Sequence, residues 1–368
     1  MSQRPLDLVF LGLSLSSSWG NGHATTYRAL IKGLAARGHR VTFLERDVPW
    51  YAAHRDLAAP EFCRLALYRD LADLAERHGE AIARADAAIV GSFVPEGEAV
   101  LDYVLATARG VRGFYDIDTP VTLAGLESGA TDYIAPRQIP GLDLYLSFSG
   151  GKVLERLKAE YGARRPTAFY CSVDEALYRP QPEEKAWDLG YLGTYSADRQ
   201  RALERLLLDP ARRLPILRFV VAGAQYPEGI DWPDNVERIE HVPPHAHARF
   251  YARQRYTLNL TRADMIAAGW SPSVRLFEAA ACGTPILSDR WRGLTHLLPD
   301  AVRIVDDAED VITALIAPHA AGRRLADAAR ALVLDRHTGL ARARQLEAEI
   351  AEIMPHADRP RAAVGGRI

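Results

Sequence analysis

The segment SPSVRLFEAAACGTP, residues 271–285, holds residue types and spacings suited to binding an anion and a pair of hydroxyls. Ser271 reads as a helix N-cap, Pro272 suits the first helical position, and Gly283 ends the helix. The unpaired N–H groups of such a first turn, from Ser271 through Ser273 and Val274, attract anions. Arg275 and Glu278 are spaced i, i+3 and so fall on one helix face. Arg275 can give a charge-assisted hydrogen bond to a phosphate, and Glu278 can accept the hydroxyls of a ribose. The chemistry this predicts is capture of a nucleoside diphosphate carrying a sugar. Arg and Glu at this spacing also decorate ordinary solvated helices, so the reading rests on what surrounds the segment.

A chain of 368 residues is long for one core and suits two domains. Hydrophobic residues make up 48% and charged residues 25%, which are ordinary globular values, so the core needs no staples. A formal net charge of −2 argues against general attraction to nucleic acid. Only Lys32, Lys152, Lys158 and Lys185 among the 45 basic residues are lysines, a bias that fits a GC-rich bacterial genome. Cys63, Cys171 and Cys282 show neither metal-ligand nor disulfide spacing, which suits a reducing cytoplasm. No uninterrupted apolar run reaches the length of a membrane span, which leaves room only for peripheral membrane contact. The oligomeric state is not legible.

Strands and helices alternate from the start. Short apolar runs at 8–12, 40–45, 87–91, 112–116, 144–148 and 167–170 read as strands, with helices at 24–37, 57–85, 100–108 and 151–161 between them. A stretch rich in Pro, Glu and Gln, 172–188, reads as a linker. A second series follows, with strands near 189–193, 219–223, 236–240, 256–260, 285–288 and 302–305. Helices are expected at 198–208, 247–253, 308–316, 319–334 and 341–353. The fold class is therefore α/β, with parallel sheets covered on both faces. The expected division is a domain at 1–171, the linker, a domain at 189–336, a helix at 337–355 packing back on the first domain, and a disordered tail at 356–368. In such sheets ligands sit at the carboxyl ends of the strands.

Three stretches carry a family likeness. FYCSVDEALYRP (169–180) resembles the interdomain segment of group 1 glycosyltransferases. YLGTYSADRQ (191–200) resembles the opening strand and loop of their donor domain. NLTRADM (259–265), continued from Ser271 to Asp289, resembles the donor-binding core. The chain thus resembles glycosyltransferases of the GT-B type, and among them the spore-maturation, CgeB-like proteins. The resemblance implies two Rossmann-like domains facing a central cleft, with the acceptor on the N-terminal side and the donor on the C-terminal side. It implies donor contacts from Gly193, Thr194, Arg262, Ser271, Ser273, Val274, Arg275 and Glu278, and a nucleobase contact from the loop containing Val242. One departure is plain. Many group 1 transferases carry two glutamates with seven residues between them; Glu278 matches the second, and Trp270 stands at the position of the first.

An inverting member needs a base on the acceptor. The loop Gly20-Asn21-Gly22-His23 looks like the opening of inverting GT-B enzymes, and imidazole titrates in the right range. His23 is therefore the leading catalytic candidate. Asp116 and Asp118 close a strand on the same side, where either can orient His23, bind acceptor hydroxyls or act as base. The expected activity is metal-independent transfer of a sugar from a UDP-, GDP- or dTDP-sugar to an acceptor hydroxyl on a glycan, lipid-linked carrier, protein or small molecule, with no cofactor beyond the donor. A catalytically silent nucleotide-sugar binding subunit and a nucleotide-sugar epimerase remain as alternatives. An NAD oxidoreductase is disfavoured, because neither half opens with Gly-x-Gly-x-x-Gly after a strand.

Overall fold

A computed structural model of the chain describes residues 4–19 and 22–354, and the chain within it forms two compact units. The first comprises the described residues within 1–148, 154–169 and 340–354; the second comprises 149–153 and 170–339. The expected tail at 356–368 lies outside the described residues, as do Gly20 and Asn21.

The first unit is built on seven parallel strands: β1 (Asp7–Gly12), β2 (Arg40–Arg46), β3 (Arg64–Tyr68), β4 (Ala87–Gly91), β5 (Val111–Asp116), β6 (Leu144–Ser147) and β7 (Pro166–Ala168). Their order is β3-β2-β1-β4-β5-β6-β7. The order reverses between β1 and β4, which makes the carboxyl ends of those strands the natural ligand position. Every residue of β4 is buried, as expected of a strand covered on both faces. The helix expected over 57–85 is in fact β3 followed by a helix at Leu71–Arg84. Asp70 sets the break: its side chain accepts from Asp73 N–H and caps the helix there. Edge strand β3 alternates too briefly to be told from a helical stretch by periodicity.

The helix Gly339–Ile353 belongs to the first unit from Leu340 onward. Gln345 donates to the Ala168 carbonyl at 2.8 Å, Glu347 takes His39 and Arg37, and Arg165 reaches Glu349 and Glu352.

The second unit has six parallel strands: β8 (Trp187–Leu192), β9 (Phe219–Ala222), β10 (Val236–Ile239), β11 (Gln254–Asn259), β12 (Ile286–Ser288) and β13 (Arg303–Ile304), in the order β10-β9-β8-β11-β12-β13. Here the order reverses between β8 and β11. The stretch read as a linker is not a loose connector. Val173, Tyr178 and Trp187 are buried in the second unit's core, and Val173 bridges to Thr338.

The helix of residues 271–285 starts two positions later than its Ser-Pro signal suggests. It runs Val274–Ala281 with Ser273 as N-cap, and everything from Arg275 to Ala281 is buried. Leu276 and Phe277 face the core, each contributing about 1.5–3 kcal/mol by burial. Phe277 stacks on His337 at 4.3 Å. The run Ala279-Ala280-Ala281 lets neighbouring elements approach closely, and Gly283, at φ +70°, turns the chain out of the helix.

Candidate functional site

In the second unit the sequence-predicted residues gather at the carboxyl ends of β8 and β11. Arg275 reaches both strands. Its Nε donates to the Leu192 carbonyl, its Nη1 to Asn259 Oδ1 at 3.2 Å, and its guanidinium lies 4.9 Å from the Tyr191 ring centroid. A Cβ on Gly193 would come within 2.9 Å of Arg275 Nη2 and 2.6 Å of Tyr191 OH, so a side chain there would push on that guanidinium. Arg275 is thus a buried, anchored cation rather than a surface arginine. Arg262 follows β11 and is exposed; its carbonyl accepts from Ile266 N–H, while its side chain makes no hydrogen bond or ion pair among the described residues. Thr194 is exposed, and its carbonyl accepts Arg199 Nη2 at 2.6 Å.

Arg199 is the residue that sequence reasoning missed. It lies in the helix Ala197–Leu203 directly after the Gly193-Thr194 loop. Its Nε is buried without a partner. Burial, and after it the charges of Arg275 and Arg262, hold its pKa below the usual arginine value. Arg199 thus feels two further guanidiniums at the carboxyl ends of parallel strands, a place where a bound anion relieves that repulsion. The signal was present in YSADRQ, where an arginine opens a helix after a glycine loop, but a helical surface arginine has the same local spelling.

Glu278 turns to different partners from those of Arg275. Its Oε2 accepts Tyr251 OH at 3.0 Å and lies 3.8 Å from His247 Nδ1. Burial, reinforced by the charge of Glu278, holds the Tyr251 and Tyr178 hydroxyls well above the usual phenol range. His247 Nδ1 is 3.2 Å from Tyr178 OH, and its Nε2 meets the Val242 carbonyl at 3.0 Å. The carbonyl of Val242, whose loop is expected to contact the nucleobase, meets His247 within the protein.

Ser271 does not cap the helix. It is fully buried; its Oγ donates to the Gly269 carbonyl and lies 2.6 Å from Ser149 Oγ. The helix N-terminus is instead presented by Ser273 and Val274, both partly exposed. Trp270, at the position of the absent first glutamate, has φ +42°, and its ring fills the space beside Gly151 and Gly293, where an added Cβ would lie 2.5–2.6 Å from indole carbons.

In the first unit His23 opens the helix His23–Ala36, with Gly22 as N-cap. Its Nε2 stands 2.7 Å from Asp118 Oδ2, while its Nδ1 is buried with no partner. Phe93, at φ +59°, sets its ring edge-to-face against the imidazole at 5.8 Å. Asp118 is the N-cap of the helix Thr119–Ser128, with 38% of its side chain exposed. Thr119-Pro120 opens that helix.

Asp116 is different. It is fully buried, with Oδ1 accepting from Thr122 Oγ1 at 2.6 Å and Oδ2 from Tyr145 OH at 2.6 Å. Burial is the main cause that pushes its pKa up to about 6. Among the roles expected for it, contact with an acceptor does not fit a sealed carboxylate; its Oδ1 takes Asp118 N–H at 3.3 Å and so helps position Asp118.

Glu45, at the end of β2, was also missed. It is buried and accepts from Leu15 N–H, Ser16 N–H and Ser16 Oγ at 2.6–2.9 Å, pinning the Ser-rich loop after β1. Read in sequence it is only the last residue of an alternating strand. Among the described residues no group of three or more His, Cys, Asp or Glu has metal-binding geometry, and no helix is long and apolar enough to cross a membrane.

Residues 199–348 match the family described as Glycosyl transferase-like, a span that includes Arg199, Arg262, Arg275 and Glu278. No curated protein matches the sequence. Among solved structures, the chain is similar to sucrose-phosphate synthase from Thermosynechococcus elongatus, at 14% identity over 95% of this chain and 100% of that one, with a TM-score of 0.65. HepE of Anabaena in complex with UDP is similar at 12% identity, over 94% of this chain and 100% of that one, with a TM-score of 0.66. An alpha-glucosyltransferase in complex with UDP-glucose and DNA containing an abasic site is similar at 14% identity, over 94% and 98%, with a TM-score of 0.67. These likenesses show the fold, two Rossmann-like domains of the GT-B type. The narrower CgeB-like likeness is not among these findings.

Proposed function

We propose that the protein transfers a sugar from a nucleoside diphosphate sugar to an acceptor hydroxyl by single displacement, without a divalent metal. The observation that carries this reading is the cluster of Arg199, Arg262 and Arg275 at the carboxyl ends of β8 and β11. The anion that suits it is a diphosphate. As the bond between the sugar C1 and the β-phosphate oxygen breaks, negative charge grows on the leaving diphosphate. Fixed guanidiniums and the first-turn amides of the helix Val274–Ala281 are placed to take it up. One helix terminus supplies roughly 0.3–1 kcal/mol, so several donors must act together. Glu278 holds the ribose hydroxyls. The UDP complexes of the HepE and alpha-glucosyltransferase structures support a uridine diphosphate donor.

The first unit supplies the base. His23, with Nε2 2.7 Å from Asp118 Oδ2, and the partly exposed Asp118 carboxylate together take the acceptor proton as oxygen attacks C1. Asp118 then stabilises the imidazolium. Direct attack by the acceptor inverts the anomeric centre. Asp116, buried behind this pair, holds the backbone of Asp118.

Calorimetry with UDP, GDP and dTDP tests donor binding, followed by release of sugar from the donor that binds and NMR assignment of the product anomer. Binding of none of the three nucleotides overturns the reading; a product that keeps the donor's anomeric configuration overturns the single displacement alone.

A further inference from the structure

We infer that the acceptor is itself a carbohydrate, with its sugar rings laid on an aromatic platform formed by Trp19, Trp50 and Phe93. This rests on the transferase reading and adds the class of acceptor to it.

The exposed large aromatics among the described residues are Trp19 (54%), Trp50 (54%) and Phe93 (38%). They come from three separate connections, which follow β1, β2 and β4, with Trp50 on the short helix Pro49–Ala52. Those strands are neighbours in the order β2-β1-β4, so the loops share the carboxyl edge of one sheet with His23 and Asp118. Adjacent strands lie about 4.8 Å apart, which spreads the three loops over roughly 10 Å. Independent loops have no packing reason to expose an aromatic each at the same edge, whereas a ring-shaped ligand gives one.

The rings are held in place. Trp19 stacks on His54 at 4.4 Å and 13° between planes, which covers one face of the indole and leaves the residue more than half exposed. Phe93 packs against Tyr133 at 4.6 Å and against His23, and keeps a left-handed backbone that a bulky residue rarely adopts.

What surrounds the rings separates a sugar from a lipid. Ser18 and Arg28 both bond Asp56, which is 47% exposed, and Arg55 pairs with Asp47, which is 44% exposed. Trp19 directly follows Ser18, and Trp50 comes three residues after Asp47. A lipid chain seeks continuous apolar surface. Isolated aromatic faces bordered by carboxylates, guanidiniums and hydroxyls fit a ligand with apolar ring faces and a hydroxylated rim.

The test is an array of immobilised neutral oligosaccharides probed with the full-length chain loaded with UDP, beside Trp19→Ala and Trp50→Ala variants. Dodecanol-coated beads serve as the lipid-like probe. The expected result is retention on one or more oligosaccharides, weakened about tenfold by either substitution, with UDP affinity by calorimetry unchanged. Retention on no oligosaccharide, retention unaffected by both substitutions, or tryptophan-dependent retention on the dodecanol beads instead would each overturn the inference. Failure of the wild type to bind UDP would show separately that the transferase reading is at fault.

Discussion

His23 and Asp118 are 95 residues apart in sequence, yet Nε2 of the one lies 2.7 Å from Oδ2 of the other, and the opposite ring nitrogen is buried without a partner. A buried imidazole held against a partly exposed carboxylate makes a pair that can accept one proton. Replacing His23 by Ala is expected to lower the transfer rate about 10²–10⁴-fold while UDP affinity stays within twofold, roughly speaking. Asp118→Asn keeps the size of the side chain but removes the charge that stabilises the imidazolium, so it should fall in the same range. Initial rates alongside calorimetry check both; a near-normal rate in His23→Ala removes the residue from the base role.

Arg199 should matter to the diphosphate and not to the nucleoside. A charge-assisted hydrogen bond contributes about 1.5–3 kcal/mol, so Arg199→Ala is expected to weaken UDP by about 10–100-fold and uridine hardly at all. Arg262→Ala should give a smaller loss of the same pattern, because the exposed guanidinium is screened by solvent. Titration of UDP and uridine against each variant distinguishes a phosphate contact from a general loss of structure, which would weaken both ligands alike.

Glu278 is expected to read the ribose. Wild-type protein should bind UDP about tenfold more tightly than its 2′,3′-dideoxy analogue, and Glu278→Ala should erase that preference. Competition binding with the two nucleotides measures it. A preference that survives the substitution places the ribose elsewhere.

Asp116 makes stability depend on pH in a definite direction. Its carboxyl is raised from 3.8 to about 6 in the folded chain, so the native state binds the proton more tightly than the unfolded state. Its stabilising contribution is fully present below about pH 4 and is lost as pH rises through about 6, a change of about 3 kcal/mol for two pH units. Denaturant unfolding of wild type and Asp116→Asn across pH 4–7 tests this. The variant should lack that component of the slope, and parallel profiles would refute the assignment.

Chelation should leave transfer unchanged. Guanidiniums and helix amides neutralise the departing diphosphate in the proposed mechanism, so assays with and without EDTA should give equal rates. A rate restored only by added magnesium or manganese would replace that account.

Much of the fold was written locally. Runs such as Ala87–Gly91 and Phe219–Ala222 are short, apolar and bounded, and they are the buried strands of the two sheets. The failures came where distant residues decide. Ser271-Pro272 spells a helix start, but Ser271 bonds Ser149 across 122 positions and the helix begins at Val274. Arg275 was legible as a cation on a helix, yet its anchorage to Leu192 and Asn259 depends on the pairing of β8 with β11. Arg199 and Glu45 escaped notice because burial, which no single residue type announces, is what makes their charges significant. The pairing of His23 with Asp118 was legible only as a shared sheet edge, and its geometry required the fold.

The helix Gly339–Ile353 carries a consequence for synthesis. Glu347 closes onto His39 across 308 positions, so this contact of the first unit cannot form until residue 347 has left the ribosome. The second unit's segment from Tyr170 to Gly339 emerges complete before then. The part of the chain made first is thus the part finished last. During that interval the surface that receives the helix beside Ala168 and His39 stands open, and nascent chains stalled before residue 340 should be the ones chaperones hold longest.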